Sequence, residues 1–202
     1  KPMSTSKRFI NHYKNGYMPW HHEKADFNLV EMVEKWPVPP CKALEIGCGT
    51  GTDAIWMALN DFEVTAADVS DIAINMASER AEKAGVKIKF HNIDFWTQGL
   101  DEGEFDFVFD RGYFHSHKTD KKRKKFASKV ARQLKPGGLW LSLFGSCDSP
   151  PRTSGPPMHS ATEIVRGVEP YFEILMLKAS RFGSDMKVPA KNWVCMFKKR
   201  DA

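Results

Sequence analysis

No apolar run in this chain approaches the roughly 18 residues that a membrane-spanning helix needs, so no membrane partner is expected. Cysteine is sparse and scattered: Cys41, Cys48, Cys147 and Cys195 form no CxxC pair. That spacing argues against a structural zinc site and a disulfide framework, and points to a reducing, cytoplasmic setting. The opening stretch, KPMSTSKRFINHYKNG, has basic residues but no apolar segment behind them, so it does not read as a secretory signal. Position 1 is Lys rather than Met, which suggests a trimmed start. No internal repeat is visible.

What is present is an ordinary soluble composition, 42% apolar and 27% charged over 202 residues, which is the size of one domain. The net charge of +5 raises the question of a nucleic-acid partner. Much of that charge sits in one run, HKTDKKRKK (117–125), and in the tail KKR. The run reads as a solvated helix start.

Apolar runs alternate with helical patterns. KALEIG (42–47), FEVTAAD (62–68), VKIKFHNID (86–94), FDFVFD (105–110) and LWLSLFG (139–145) read as strands. Between them, residues 51–60, 71–85 and 120–135 read as helices, the last stopped by PGG. Strands spaced by helices in this way imply βαβ crossovers and a parallel sheet. After Gly145 comes a Pro/Ser/Gly loop long enough to cover a site, then a short helix (161–168). Two final strands, YFEILMLKAS and WVCMFKKR, form an antiparallel pair at the sheet edge. Before the first strand, residues 24–36 have helical spacing.

The stretch LEIGCGTG (44–51) ends a strand in a glycine turn, which a backbone does where it approaches a ligand closely. Gly47, Gly49 and Gly51 alone do not choose the ligand, because a shifted register from Gly49 to Ala54 fits a loose dinucleotide fingerprint. Charge is more informative. Glu45, Asp68, Asp94 and Asp110 all fall at strand ends, where ligands bind in open parallel sheets. A pyrophosphate there would meet about 4 kcal/mol of repulsion per close like-charge pair. A cationic nucleoside would be favoured, and S-adenosylmethionine carries a sulfonium, an ammonium and a ribose diol. Each acid has a plainer alternative: Asp68 as a cap for the helix near Asp71, Asp94 as a turn residue, Glu45 as a buried acid held by backbone amides.

With those residues in view, LEIGCGTG, AADVS, NIDF and FDRGYFH resemble the successive motifs of class I S-adenosylmethionine-dependent methyltransferases, from about Trp20 to about residue 199. The resemblance implies an α/β, Rossmann-like fold with strand order 3-2-1-4-5-7-6 and strand 7 antiparallel. It implies a single domain, 1–202, with an N-terminal lid segment and helix over 1–36 and a core over 37–202. It also implies that Glu45 and the loop from Gly47 through Cys48 and Gly49 to Gly51 hold the methionine portion. Asp68, followed by Val69, would bind the ribose, and Asp94 with Phe95 would contact the adenine. Trp20 and Asp110 complete the expected cofactor site, with S-adenosylhomocysteine as product.

DRG (110–112), SGPPM (154–158) and the segment NGYMPWHHEKADFNL (15–29) narrow the resemblance to the branch of thiopurine S-methyltransferases and thiol or halide methyltransferases. The segment 15–29 is similar to that branch's helix over the cofactor. A small-molecule acceptor follows from it. Arg111, the arginine of the DRG motif, is the residue expected to stabilise an anionic acceptor; a salt bridge with Asp110 is the alternative. Arg152 and Arg181 are weaker choices. His115 is expected either to act as a base or to line the pocket. His115 and His117 lack the neighbouring Cys or acid cluster that a metal would need. Three competing readings stay open: a nucleic-acid methyltransferase, an NAD-linked oxidoreductase and a non-catalytic module. Against the first stands the turn DRGYF, where amino-group enzymes carry an Asn/Asp-Pro-Pro-aromatic turn.

Overall fold

The computed structural model describes residues 4–100, 105–151, 155 and 157–201. Its strands are β1 (Lys42–Ile46), β2 (Glu63–Asp68), β3 (Lys89–Asn92), β4 (Phe105–Arg111), β5 (Leu134–Gly145), β6 (Phe172–Arg181) and β7 (Lys191–Lys199). Their order in the sheet is β3-β2-β1-β4-β5-β7-β6. β1, β2 and β3 pair in parallel, as do β4 and β5, while β7 runs antiparallel to both β5 and β6. This is the Rossmann-like order expected from the motifs. The helices are α1 (Thr5–Lys14), α2 (Phe27–Lys35), α3 (Thr52–Leu59), α4 (Asp71–Lys83), α5 (Asp120–Gln133) and α6 (Ala161–Val168).

The chain forms two compact units, Lys1–Gly99 with Gly183–Asp185, and Leu100–Phe182 with Met186–Ala202. In the first, β1 and β2 are buried along nearly their whole length, as parallel strands covered on both faces must be. Helix α4 buries only Ala73, Ala77 and Ala81, a stripe of small side chains at i, i+4 and i+8. That stripe lets α4 come close: a Cβ on Gly51 would lie 2.8 Å from the Ala77 Cβ. The glycine turn therefore seats directly on this helix.

The second unit is built around Trp140, fully buried, whose ring meets Phe114, Phe126, Phe172 and Phe197 at centroid distances of 5.0–5.8 Å. Its α5 carries most of the basic run, and here the structure corrects the solvated reading in one place. Lys121, Lys122, Lys124 and Lys125 are exposed, but Arg123 is 2% exposed. Its guanidinium pairs with Asp120 and Glu163 and donates to the His117 carbonyl at 3.1 Å.

Some element boundaries also differ. α5 ends at Gln133 rather than 135, because Leu134 is already extended and begins β5. The PGG stretch then runs inside that strand, and pairing with β4 jumps from Phe105↔Leu134 to Phe107↔Leu139. This is a bulge that absorbs the proline and the left-handed Gly137. Of the segment 15–29, likened above to a covering helix, residues 15–26 are turns and irregular chain and 27–29 begin α2. Among the described residues, no helix is long and apolar enough to cross a membrane.

Because Arg123 is buried among acids, Arg123→Ala should cost about 3 kcal/mol or more of unfolding free energy. Lys121→Ala and Lys124→Ala should change it by less than about 0.5 kcal/mol. Urea denaturation of the three variants checks the contrast.

Candidate functional site

In the first unit, β1 delivers Glu45 to a position only 2% exposed, and the chain then turns through Gly47, Gly49 and Gly51 at φ of +74°, +54° and +80°. Side chains with a Cβ rarely adopt such angles. The turn is clasped to the end of β2. Gly47 and Cys48 donate their amides to the Ala67 carbonyl at 2.7 and 3.0 Å, and Gly49 donates to Asp68 Oδ2 at 2.9 Å. Asp68 Oδ1 accepts from Ser70 at 2.9 Å. Asp68 does not cap the following helix; that cap is Ser70, whose hydroxyl accepts from Ala73.

Burial pushes the Asp68 carboxyl up, and amides of Ser70, Gly49 and Val69 pull it back. Val69 thus acts here through its backbone. The buried Cys48 thiol is pushed well up by desolvation and by the carboxylates of Asp68 and Glu45. A cation brought to this turn would relieve the same crowding.

Helix α1 supplies a residue that the sequence did not single out. Tyr13 is 5% exposed, and a Cβ on Gly49 would lie 3.0 Å from its hydroxyl. Burial pushes that hydroxyl up, with Asp68, Cys48 and Glu45 adding to the effect. Trp20 donates its indole N–H to the Tyr13 oxygen at 3.1 Å, and its ring stacks on His12 and meets Phe9 edge-on. Trp20 therefore joins the site through Tyr13. Asp94 is shared: Oδ2 accepts from Ser6 of α1 at 2.6 Å and Oδ1 from the Trp96 amide at 3.0 Å. The Phe95 side chain is 1% exposed, in the core.

The connector after α1 is fixed by a second polar cluster that sequence reasoning also missed. Arg80 of α4 donates to the Thr50 carbonyl and to the Thr50 and Thr52 hydroxyls at 2.8–3.0 Å, and reaches Glu23 at 3.5 Å. His21 bridges Thr50 and Glu23, both at 2.9 Å.

The second unit holds the remaining expected residues. Asp110, expected in the cofactor site, is fully buried. Oδ1 accepts from the Tyr113 and Phe114 amides at 3.1 and 2.9 Å, and Oδ2 from the Trp140 indole at 2.9 Å. It is the brace of the turn after β4. Burial raises its pKa to about 6 against those donors.

His115, expected as a base or as pocket lining, is held by the main chain. Its Nδ1 accepts the Gly145 amide at 3.2 Å, so in the neutral ring the proton sits on Nε2. The one lone pair is thereby occupied, and the ring is poorly placed as a base. It packs against Gly112, where a Cβ would come within 2.9 Å of the ring.

Arg111 is half-buried, with its guanidinium over the Phe182 ring at 5.1 Å. Arg181 donates to the Pro189 carbonyl at 2.7 Å in an exposed position. Arg152, and Ser154 and Pro156 of the SGPPM stretch, lie outside the described residues. Among the described residues, no cluster of three or more His, Cys, Asp or Glu is arranged for a metal.

The strand order is the Rossmann-like one seen in a solved structure of S-adenosylmethionine-dependent methyltransferases from Methanosarcina mazei, which aligns with a TM-score of 0.70 and 18% identity, covering 85% of this chain and 98% of that one. Residues 43–138 match the family described as a methyltransferase domain. The chain is 31% identical over 147 residues to the probable thiol methyltransferase 2 of Arabidopsis thaliana, covering 72% of this chain and 63% of that one. It is 30% identical over 135 residues to thiocyanate methyltransferase 1 of Brassica oleracea, covering 65% and 58% respectively. The matches thus span less than two thirds of either plant relative. Among solved structures, one concerned with converting a disulfide bond into a thioacetal group during echinomycin biosynthesis aligns with a TM-score of 0.84, 23% identity and coverage of 98% and 93%. The 1,6-didemethyltoxoflavin N1-methyltransferase of Burkholderia thailandensis aligns at 0.79, with 19% identity and coverage of 100% and 93%.

The buried Asp110 makes a pH prediction with a definite sign. Its folded pKa of about 6 lies above the ordinary 3.8, so its favourable contribution is complete below 3.8 and lost as pH rises through 6. Asp110→Asn should remove that component, flattening the fall in unfolding free energy between pH 4 and 7 by on the order of 3 kcal/mol. Denaturation at a series of pH values measures it.

Proposed function

We propose that the chain is an S-adenosylmethionine-dependent methyltransferase that acts on a small soft nucleophile, with a thiol as the first choice, through a single catalytic domain. The observation that carries the reading is the glycine turn wrapped on Asp68 with Glu45 buried beside it. Such a turn suits a positively charged nucleoside and disfavours a pyrophosphate. The similarity to two plant proteins named as a probable thiol methyltransferase and a thiocyanate methyltransferase supports a soft acceptor.

The residues present fit this cofactor. The turn bends where a Cβ would meet Ala77 or the Tyr13 hydroxyl, so its path is one only glycine takes, and it brings the buried Glu45 and Asp68 together. Asp68 would hold the ribose hydroxyls, Glu45 and the turn the methionine portion, and Asp94 the adenine edge. When bound, the cofactor supplies an electrophilic methyl on a sulfonium. The protein's share is orientation and exclusion of water. Arg111 would favour the ionised form of a thiol, whose anion is the attacking species. The Phe182 ring beneath it holds the guanidinium without neutralising it.

A methyl-transfer screen across thiols, thiopurines, halides and hydroxyl compounds, read by S-adenosylhomocysteine release, should give turnover with thiols. Asp68→Ala should weaken S-adenosylhomocysteine binding by about tenfold or more. Arg111→Ala should lower turnover more than cofactor affinity. Full turnover by Arg111→Ala across thiols would remove that residue from the account.

A further inference from the structure

Within the first unit, one buried His–Asp contact is used by nothing described above. His22 is 9% exposed and Asp53, in the first turn of α3, is 2% exposed. His22 Nε2 lies 3.1 Å from Asp53 Oδ2, and His22 Nδ1 lies 3.2 Å from the Trp20 carbonyl. Both partners are acceptors only. A neutral imidazole has one N–H and satisfies one of them; the imidazolium satisfies both.

The pair sits between two chains of contacts. On one side, the Trp20 indole donates to Tyr13, whose hydroxyl abuts Gly49, and the Thr52 hydroxyl donates to the His22 carbonyl at 2.8 Å. On the other, Asp53 Oδ1 accepts from the Asp26 amide at 2.8 Å, and Asp26 Oδ2 accepts from the Gly183 amide at 2.8 Å. Gly183 admits no side chain there, since a Cβ would lie 3.0 Å from Asp26 Cα and Cγ.

We propose that His22 and Asp53 form a positioning pair that locks the connector 15–26, and through it Trp20 and Tyr13, over the glycine turn. The inference rests on the reading of that turn as the cofactor site. Neither residue touches the turn directly; they act through Trp20, Tyr13 and the start of α3. The other charged groups around His22 are committed elsewhere. Asp26 caps α2 and binds Gly183, Glu23 and His21 pair with each other, Arg80 of α4 holds Thr50 and Thr52, and Asp185 accepts from the Glu23 amide.

The test is calorimetric titration with S-adenosylhomocysteine at pH 7 on wild type, His22→Ala, Asp53→Ala, the double variant and His22→Gln. Each alanine variant should bind about tenfold more weakly than wild type, and the double variant no more weakly than either single one, because the two side chains act as a unit. His22→Gln, whose amide can still donate to Asp53, should recover most of the affinity and guards against a folding defect in the alanine variant. Wild-type affinity in both alanine variants, or losses that simply add in the double variant, overturns the pair and leaves the cofactor reading standing. Absence of binding by wild type overturns both.

Discussion

The structure depends on a carboxylate that is held by main-chain amides. Asp68 accepts from Gly49 on one oxygen and Ser70 on the other, so one side chain fixes the glycine turn and the start of α4 together. The arrangement is costly to leave ionised, because burial raises the carboxyl. Amides compensate in part.

The surrounding residues make sense as supports for that turn. The alanine stripe of α4 lets it approach, Arg80 anchors Thr50 and Thr52, and Tyr13 stands over Gly49. In the second unit a comparable device serves a different end. Asp110 spends its oxygens on the Tyr113 and Phe114 amides and the Trp140 indole, and so shapes the turn that carries Arg111. Two acids at strand ends thus look alike in sequence and differ in function according to which donors surround them.

The sheet was legible because parallel strands are apolar runs and their crossovers are regular. The parts that escaped are those whose signal is polar or distant. Helix α1 has few apolar residues, and its start is marked mainly by the Ser4 cap, so apolar spacing does not announce it. The PGG stretch looked like a stop because the bulge that accommodates it exists only in pairing with β4. The inward turn of Asp110 and the occupied nitrogen of His115 depend on partners about thirty residues away, Trp140 and Gly145. The same holds for His22 with Asp53. Spacing along the chain carries no trace of such pairs.

The central claim is that acids around the glycine turn select a cationic nucleoside over a dinucleotide. Direct comparison of S-adenosylmethionine and NAD by isothermal titration with the wild-type chain measures that choice. The account predicts saturable binding of S-adenosylmethionine and no measurable binding of NAD under the same conditions. Saturable binding of NAD, with none of S-adenosylmethionine, would contradict it.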